Sequence, residues 1–175
     1  MHTRFGLVVA LTWVVVGCAS SAKSGGGVKH PLVRQVAPDS AVKMSTNGAP
    51  WRPADASGKV VIIDFWATWC IPCHESFPKL DAIYKRHASA GLAVVAISED
   101  EDSSKVGAFV AETQVTFPIA LDPSGNTASS FDVQSMPTEF IVDRHGVIRY
   151  VHAGYHEEEV EQIESEVTSL LKESP

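Results

Sequence analysis

The chain has 175 residues, 45% of them hydrophobic and 20% charged, enough for one globular domain with its own core plus a short leader. A net charge of −7 excludes a protein that grips nucleic acid through phosphate contacts, which need clustered Lys and Arg. Three cysteines are too few for a disulfide framework, so any pair among them is there for chemistry.

The chain opens on Met1-His2-Thr3-Arg4, which carries a positive charge, and residues 5–16 are almost wholly apolar. A basic start, an apolar run and then small residues are the three zones of a secretory signal. The run falls short of the ~20 residues a spanning helix needs. It ends in Val15-Val16-Gly17-Cys18, which resembles a bacterial lipobox, where cleavage precedes the cysteine and its thiol is diacylated. We read residues 1–17 as a lipoprotein signal peptide and Cys18 as the lipidation site. Residues 18–36 read as a lipid-anchored linker, because Ser20 to Gly27 (SSAKSGGG) is flexible by composition. Ala19 and Ser20 behind the acylated Cys are compatible with the outer membrane.

Residues 37–175 read as the domain. A short strand is expected around residues 41–44, with a turn at Asn47-Gly48. Residues 60–66 are apolar except for Asp64, the pattern of a strand buried on both faces. Leu80, Ile83, Tyr84 and His87 repeat at helical spacing and stop before Gly91; Pro78 inside that helix predicts a kink. Residues 92–97 (LAVVAI) are a second buried strand, 98–103 a polar loop, and Val106, Phe109 and Val110 mark a second helix. A third strand is expected at 117–121, a turn at 122–125 and a short helix at 126–131. Residues 138–142 and 147–152 are strands joined by a hairpin at 143–146. Residues 157–171 are an amphipathic terminal helix whose glutamates read as a solvated face. Alternating strands and helices, closed by a hairpin and a helix, predict an α/β sheet covered on both faces.

Chemistry concentrates in Phe65 to Pro78, FWATWCIPCHESFP. Cys70-Ile71-Pro72-Cys73 is a redox dithiol by spacing, while adding His74 spells the C-x-x-C-H of covalent haem attachment. A strand ending at Trp69 delivers Cys70 to a helix N-terminus, whose partial positive charge and unpaired N–H groups favour thiolate. Pro72 suits the first helical turn. Cys70 is therefore expected to be the exposed, low-pKa attacker and Cys73 the more buried resolving thiol. A buried thiol needs a base to lose its proton. Asp64, alone in an apolar strand, should have a raised pKa unless it faces solvent. His74 reads as a solvent-facing helix residue, Trp66 as packing and Trp69 as a cover for the dithiol. A haem would also need a second axial ligand, for which His152, His156, Met44 and Met136 are present, but its attachment motif would then lie directly after a buried strand. Zinc needs two further ligands and no pair joins the dithiol convincingly, so no metal or cofactor is expected beyond the Cys70–Cys73 disulfide.

The stretch Asp64 to Cys73 resembles the active-site segment of the thioredoxin superfamily, and Met136-Pro137-Thr138, just before a strand, resembles that fold's cis-proline loop. Ala37-Pro38-Asp39, Gly58-Lys59-Val60 and an extra segment between residues 99 and 125 narrow the resemblance to the TlpA/ResA group of membrane-tethered, extracytoplasmic thiol–disulfide oxidoreductases. The resemblance implies a thioredoxin-like three-layer α/β/α sandwich with an N-terminal extension and a central βα-type insertion. It implies catalytic roles for Cys70 and Cys73, Asp64 as proton acceptor, and Pro137 as a cis-proline facing Cys70. Trp69, Ile71, Pro72, Met136 and Thr138 would line the substrate groove. Many members carry an acid–base Glu three residues after the second Cys; here that position is Ser76, which leaves Asp64 as the one evident base. The Ile-Pro dipeptide resembles reducing members. With the lipobox, the resemblance implies a lipid-anchored monomer on the periplasmic side, exported thiol proteins such as apocytochrome c as clients and, for a reductant, a membrane electron donor of DsbD/CcdA type. The rival within the same fold is a peroxiredoxin-like peroxidase, although Trp69 precedes Cys70 where peroxiredoxins place Thr and Pro.

Overall fold

In the computed structural model, which describes His2 and residues 29–174, the chain enters its sheet from the edge. The expected signal peptide and Cys18 lie outside the described residues. Strands β1 (Val42–Met44) and β2 (Pro50–Trp51) form a short antiparallel pair around the Asn47-Gly48 turn. Then follow β3 (Val60–Trp66), α1 (Ile71–His87), β4 (Leu92–Ser98), α2 (Val106–Thr113), β5 (Ile119–Leu121), α3 (Asn126–Ser130), β6 (Thr138–Val142), β7 (Ile148–Ala153) and α4 (Val160–Leu171).

The seven strands lie in the order β2-β1-β5-β4-β3-β6-β7. β3 is parallel to β4 and β4 to β5, which requires the crossovers that α1 and α2 supply. β6 runs antiparallel to β3 and β7 to β6, closing the sheet as a hairpin turned at residues 143–146. The α2–β5 segment is the expected insertion, and it adds a parallel strand beside β4. At the end of α1 one 3₁₀ turn leads to Gly91, whose φ of 104° is the left-handed conformation that reverses the chain into β4. α1 continues through Pro78, where the missing N–H leaves the His74 carbonyl without its helical partner.

Strand alternation sorts the core into two layers. Val60, Ile62 and Trp66 of β3 pack with Cys73, Phe77, Leu80 and Ile83 of α1, Val106 and Phe109 of α2, and Ile163, Val167 and Leu170 of α4. Val61, Ile63 and Phe65 face the other way, toward Phe131, Phe140, Val151 and the α3 region. This is the three-layer α/β/α sandwich implied by the resemblance, with α3, the N-terminal segment and a 3₁₀ turn (Pro53–Ala56) forming its thinner outer layer.

Two expectations are corrected. The tether assigned to residues 18–36 ends earlier: Arg34 N–H donates to Ile148 O at 2.7 Å, Val36 bridges Val147, and Leu32 and Val33 pack on the second layer. The packed unit therefore begins before residue 37, because these apolar residues have sheet edge to cover. The glutamates of residues 157–166 are also less solvated than their run suggests. Glu164 accepts two bonds from Arg86 at 2.7 Å, and Glu166 is buried against His152 at 2.7 Å. Helix packing, not the charge pattern, decides which of them meet α1 and β7.

Candidate active site

β3 ends at Trp66, and one turn carries the chain to Cys70 at the N-cap of α1 (φ −81°, ψ 100°). Asp100 fixes that turn. Its carboxylate accepts the Thr68 N–H at 2.9 Å, the Thr68 hydroxyl at 2.6 Å and the Ser98 hydroxyl at 2.9 Å, and it is buried. In the sequence it is one acid among several in a polar loop; only the chain path brings it under residue 68. Pro72 falls in the first turn of the helix, as expected.

Cys70 and Cys73 form a disulfide, with an S–S length of 2.02 Å. Cys73 is fully buried, and Cys70 keeps only 5% of its surface. The expectation of an exposed Cys70 is corrected: the disulfide ties its sulfur down to buried Cys73. The exposed groups are its neighbours, Trp69 at 68% and Ile71 at 77%. They stand beside the dithiol, so Trp69 flanks the pair.

Cys70 opens on a groove of ≈500 Å³, lined on one side by Trp69, Cys70, Ile71 and Pro72 and on the other by Ala128, Val133, Gln134, Ser135 and Met136. The Met136–Pro137 peptide is cis. Thr138 does not line the groove: it is buried at the start of β6, and its hydroxyl donates to Ser135 O at 2.7 Å, closing the loop from behind. Two exposed apolar side chains beside a shallow groove suit an extended polypeptide better than a small polar molecule.

Trp66 is fully buried against Phe77 and Phe109 at 4.6 Å each, as packing. His74 is exposed, with Nε2 3.3 Å from Thr68 O and its ring edge-on to Phe109. Ser76 is buried and donates to Cys73 O at 3.3 Å.

Asp64 has no exposed surface, and neither carboxyl oxygen has a partner among the described residues. Alternation puts it on the same face of β3 as Ile62 and Trp66, the face that Cys73 packs against. Burial pushes its pKa up to about 8. Asp64, the one evident base in the sequence, has a second buried acid beside it. Glu139 of β6 pairs directly with Asp64 across the sheet and is itself buried, with Oε2 unpartnered. Burial raises its pKa well above the usual range, and the charge of Asp64 raises it further. The signal was present in the sequence, one charge inside Thr138-Glu139-Phe140-Ile141-Val142, but a hairpin strand with one wet face would look the same.

The redoxin family model matches residues 32–170. The chain is 40% identical to thioredoxin-like protein YneN of Bacillus subtilis over 69% of its own length and 71% of that protein's. It is 31% identical to the thiol-disulfide oxidoreductase ResA of Bacillus thuringiensis, over 65% of its own length and 66% of that protein's. Among solved structures it resembles a thiol:disulfide interchange protein DsbE from Chlorobium tepidum, at a TM-score of 0.74 and 34% identity, covering 78% of this chain and 95% of that one.

Proposed function

The chain belongs to the redoxin family as a ResA-like thiol:disulfide oxidoreductase of the thioredoxin superfamily, and from that premise we propose that it works outside the cytoplasm as a reductant of disulfides in exported proteins. The observation that carries this reading is the Cys70–Cys73 pair at the N-terminus of α1, opening on an apolar groove beside the Met136–Pro137 loop.

In the reduced protein, the Cys70 thiolate attacks one sulfur of a client disulfide. A new S–S bond joins Cys70 to the client, and the other client sulfur leaves as a thiolate that takes a proton from water. Cys73 then gives its proton to the Asp64 carboxylate and attacks the Cys70 sulfur. The client's second thiolate leaves, and the protein is left with its own disulfide, two electrons poorer. The helix N-terminus supports the first step by favouring the Cys70 thiolate. Asp64 supports the second, because it is a carboxyl on the Cys73 side of β3. A membrane donor of DsbD/CcdA type would return the electrons. Clients are exported thiol proteins, apocytochrome c among them, and Cys18 would anchor the chain through a lipid.

The peroxidase alternative gains nothing from the relatives described above, which are named as thioredoxin-like or thiol–disulfide proteins. Equilibration of the full chain with glutathione buffers tests the direction. A potential near that of thioredoxin, about −270 mV, is expected, and one near about −120 mV makes the protein an oxidant instead. A Cys70→Ser chain that still reduces a protein disulfide would end the dithiol reading. Cys18→Ala should move the protein from the membrane fraction to the soluble one.

A further inference from the structure

Across the sheet, Asp64 of β3 pairs with Glu139 of β6, and Glu139 pairs with His152 of β7. Directly opposed residues of antiparallel strands point to the same face, with Cβ atoms about 5 Å apart. Three ionisable side chains thus form one row under α1 and α4, and all three are buried. The end of the row at His152 is tied through Nε2, 2.7 Å from Glu166, while its Nδ1, 3.5 Å from Glu159, makes no hydrogen bond among the described residues. The middle is not, since Asp64 Oδ1 and Oδ2 and Glu139 Oε2 have no hydrogen-bond partner among the described residues.

Glu139 differs from Asp64 in one respect. It lines a cavity between α1 and the start of α4, together with Ser76, Lys79, Tyr155, His156 and Glu159. The cavity has ≈20 Å³ of space for water centres, enough to hold a water. Asp64 does not reach it. A proton arriving at Asp64 from the dithiol side therefore has Glu139 between it and the cavity.

We propose that Glu139 is a proton-relay residue acting through Asp64, connecting the buried resolving cysteine to water between α1 and α4. This rests on the oxidoreductase reading above. As Asp64 takes the Cys73 proton, one Glu139 oxygen accepts a proton from Asp64 while the other releases its own to water in the cavity. No proton is lost or gained within the pair, and it is reset for the next turnover. When the protein's disulfide is reduced again, the path runs inward. Glu139 touches no reacting sulfur. The groups that face it are Asp64 from β3, His152 from β7, Glu159 from the turn before α4, and Ser76 and Lys79 from α1, with Tyr155 and His156 at the cavity. Burial first, then the charges of Asp64 and Glu159, favour a retained proton on Glu139, the state a relay needs.

The test uses the reduced full chain and an aromatic disulfide reagent that releases one coloured thiol as Cys70 attacks and a second as Cys73 resolves the mixed disulfide. Glu139→Gln should leave the first release unchanged and slow the second by about tenfold. It should also collapse a two-step pH profile of the second release into one step, because the coupled carboxyl pair has become a single group. Glu139→Asp, which keeps the carboxyl, should recover most of the rate and guards against misfolding of the Gln chain. If Glu139→Gln matches the parent in rate and profile while Asp64→Asn is slow, the relay is wrong and the dithiol reading stands. If Cys70→Ser retains both releases, the dithiol reading itself falls.

Discussion

Replacing Asp64 by Asn isolates what one buried carboxyl does at the residue scale. Its folded pKa of about 8 lies far above the value in an unfolded chain. Above the unfolded pKa, the unfolded chain ionises while the folded one holds its proton, so burying Asp64 destabilises the protein increasingly until the pH passes about 8. Asp64→Asn should therefore raise unfolding stability by several kcal/mol at alkaline pH and change it little at pH 4, as denaturant titrations would read. The same substitution should slow resolution of the Cys70 mixed disulfide by roughly tenfold or more and flatten its rise between about pH 6 and 9. Unchanged release kinetics over that range would exclude Asp64 as the base. A more stable but slower protein is the expected mark of a charge kept for chemistry rather than for folding.

At the scale of elements, the site depends on one turn and its anchor. β3 supplies Asp64, α1 supplies the two cysteines, and the turn between them is held by Asp100 from the segment after β4. Asp100→Ala removes the acceptor for the Thr68 N–H and two hydroxyls, so about 2 kcal/mol of stability should be lost in chemical denaturation. Loosening the start of α1 should also change the rate at which an alkylating reagent captures Cys70 in the reduced protein. Equal stability and equal capture would mean the turn holds itself. The elements themselves were readable in the chain. The buried runs of β3 and β4, the helical spacing of α1 and α4 and the hairpin at residues 143–146 all stand where their periodicity put them. β5 is shorter than its apolar letters suggest. What periodicity does not carry is partnership: nothing in residues 98–103 tells which acid caps a turn some thirty positions earlier.

For the molecule as a whole, the balance of buried acids sets the pH dependence. Asp64 and Glu99 are both pushed up to about 8, the first by burial and the second by burial and then by Asp122, and burial, with Asp64 next, raises Glu139 well above the usual carboxylate range. Each makes the fold lose stability as pH climbs from about 4 to 8. Glu164, held by Arg86, and Asp81, held down by Lys85 and Thr116 against its own desolvation, are lowered and lose their contribution as pH falls below about 4. The two groups of acids oppose each other, so the melting temperature of the oxidised chain should peak on the acid side of neutral and fall toward pH 8. A maximum at or above pH 8 would mean these acids are ionised in the folded state. Among the described residues no helix is long and apolar enough to cross a membrane.

The sequence by itself determined the α/β architecture, the dithiol at a helix start and the isolated acid in β3, because each is written in local spacing and in the cost of burying a charge; the proline loop before β6 was marked by its resemblance to the thioredoxin superfamily's cis-proline loop. Only the tertiary structure decided that Cys70 is covered, that Thr138 turns inward, that Asp100 anchors the active-site turn and that Asp64 is one of a pair. Those facts follow from strand register and chain path. A strand with one charge reads the same whether that charge faces water or another acid. The register of β3 on β6 is what sets Glu139 beside Asp64.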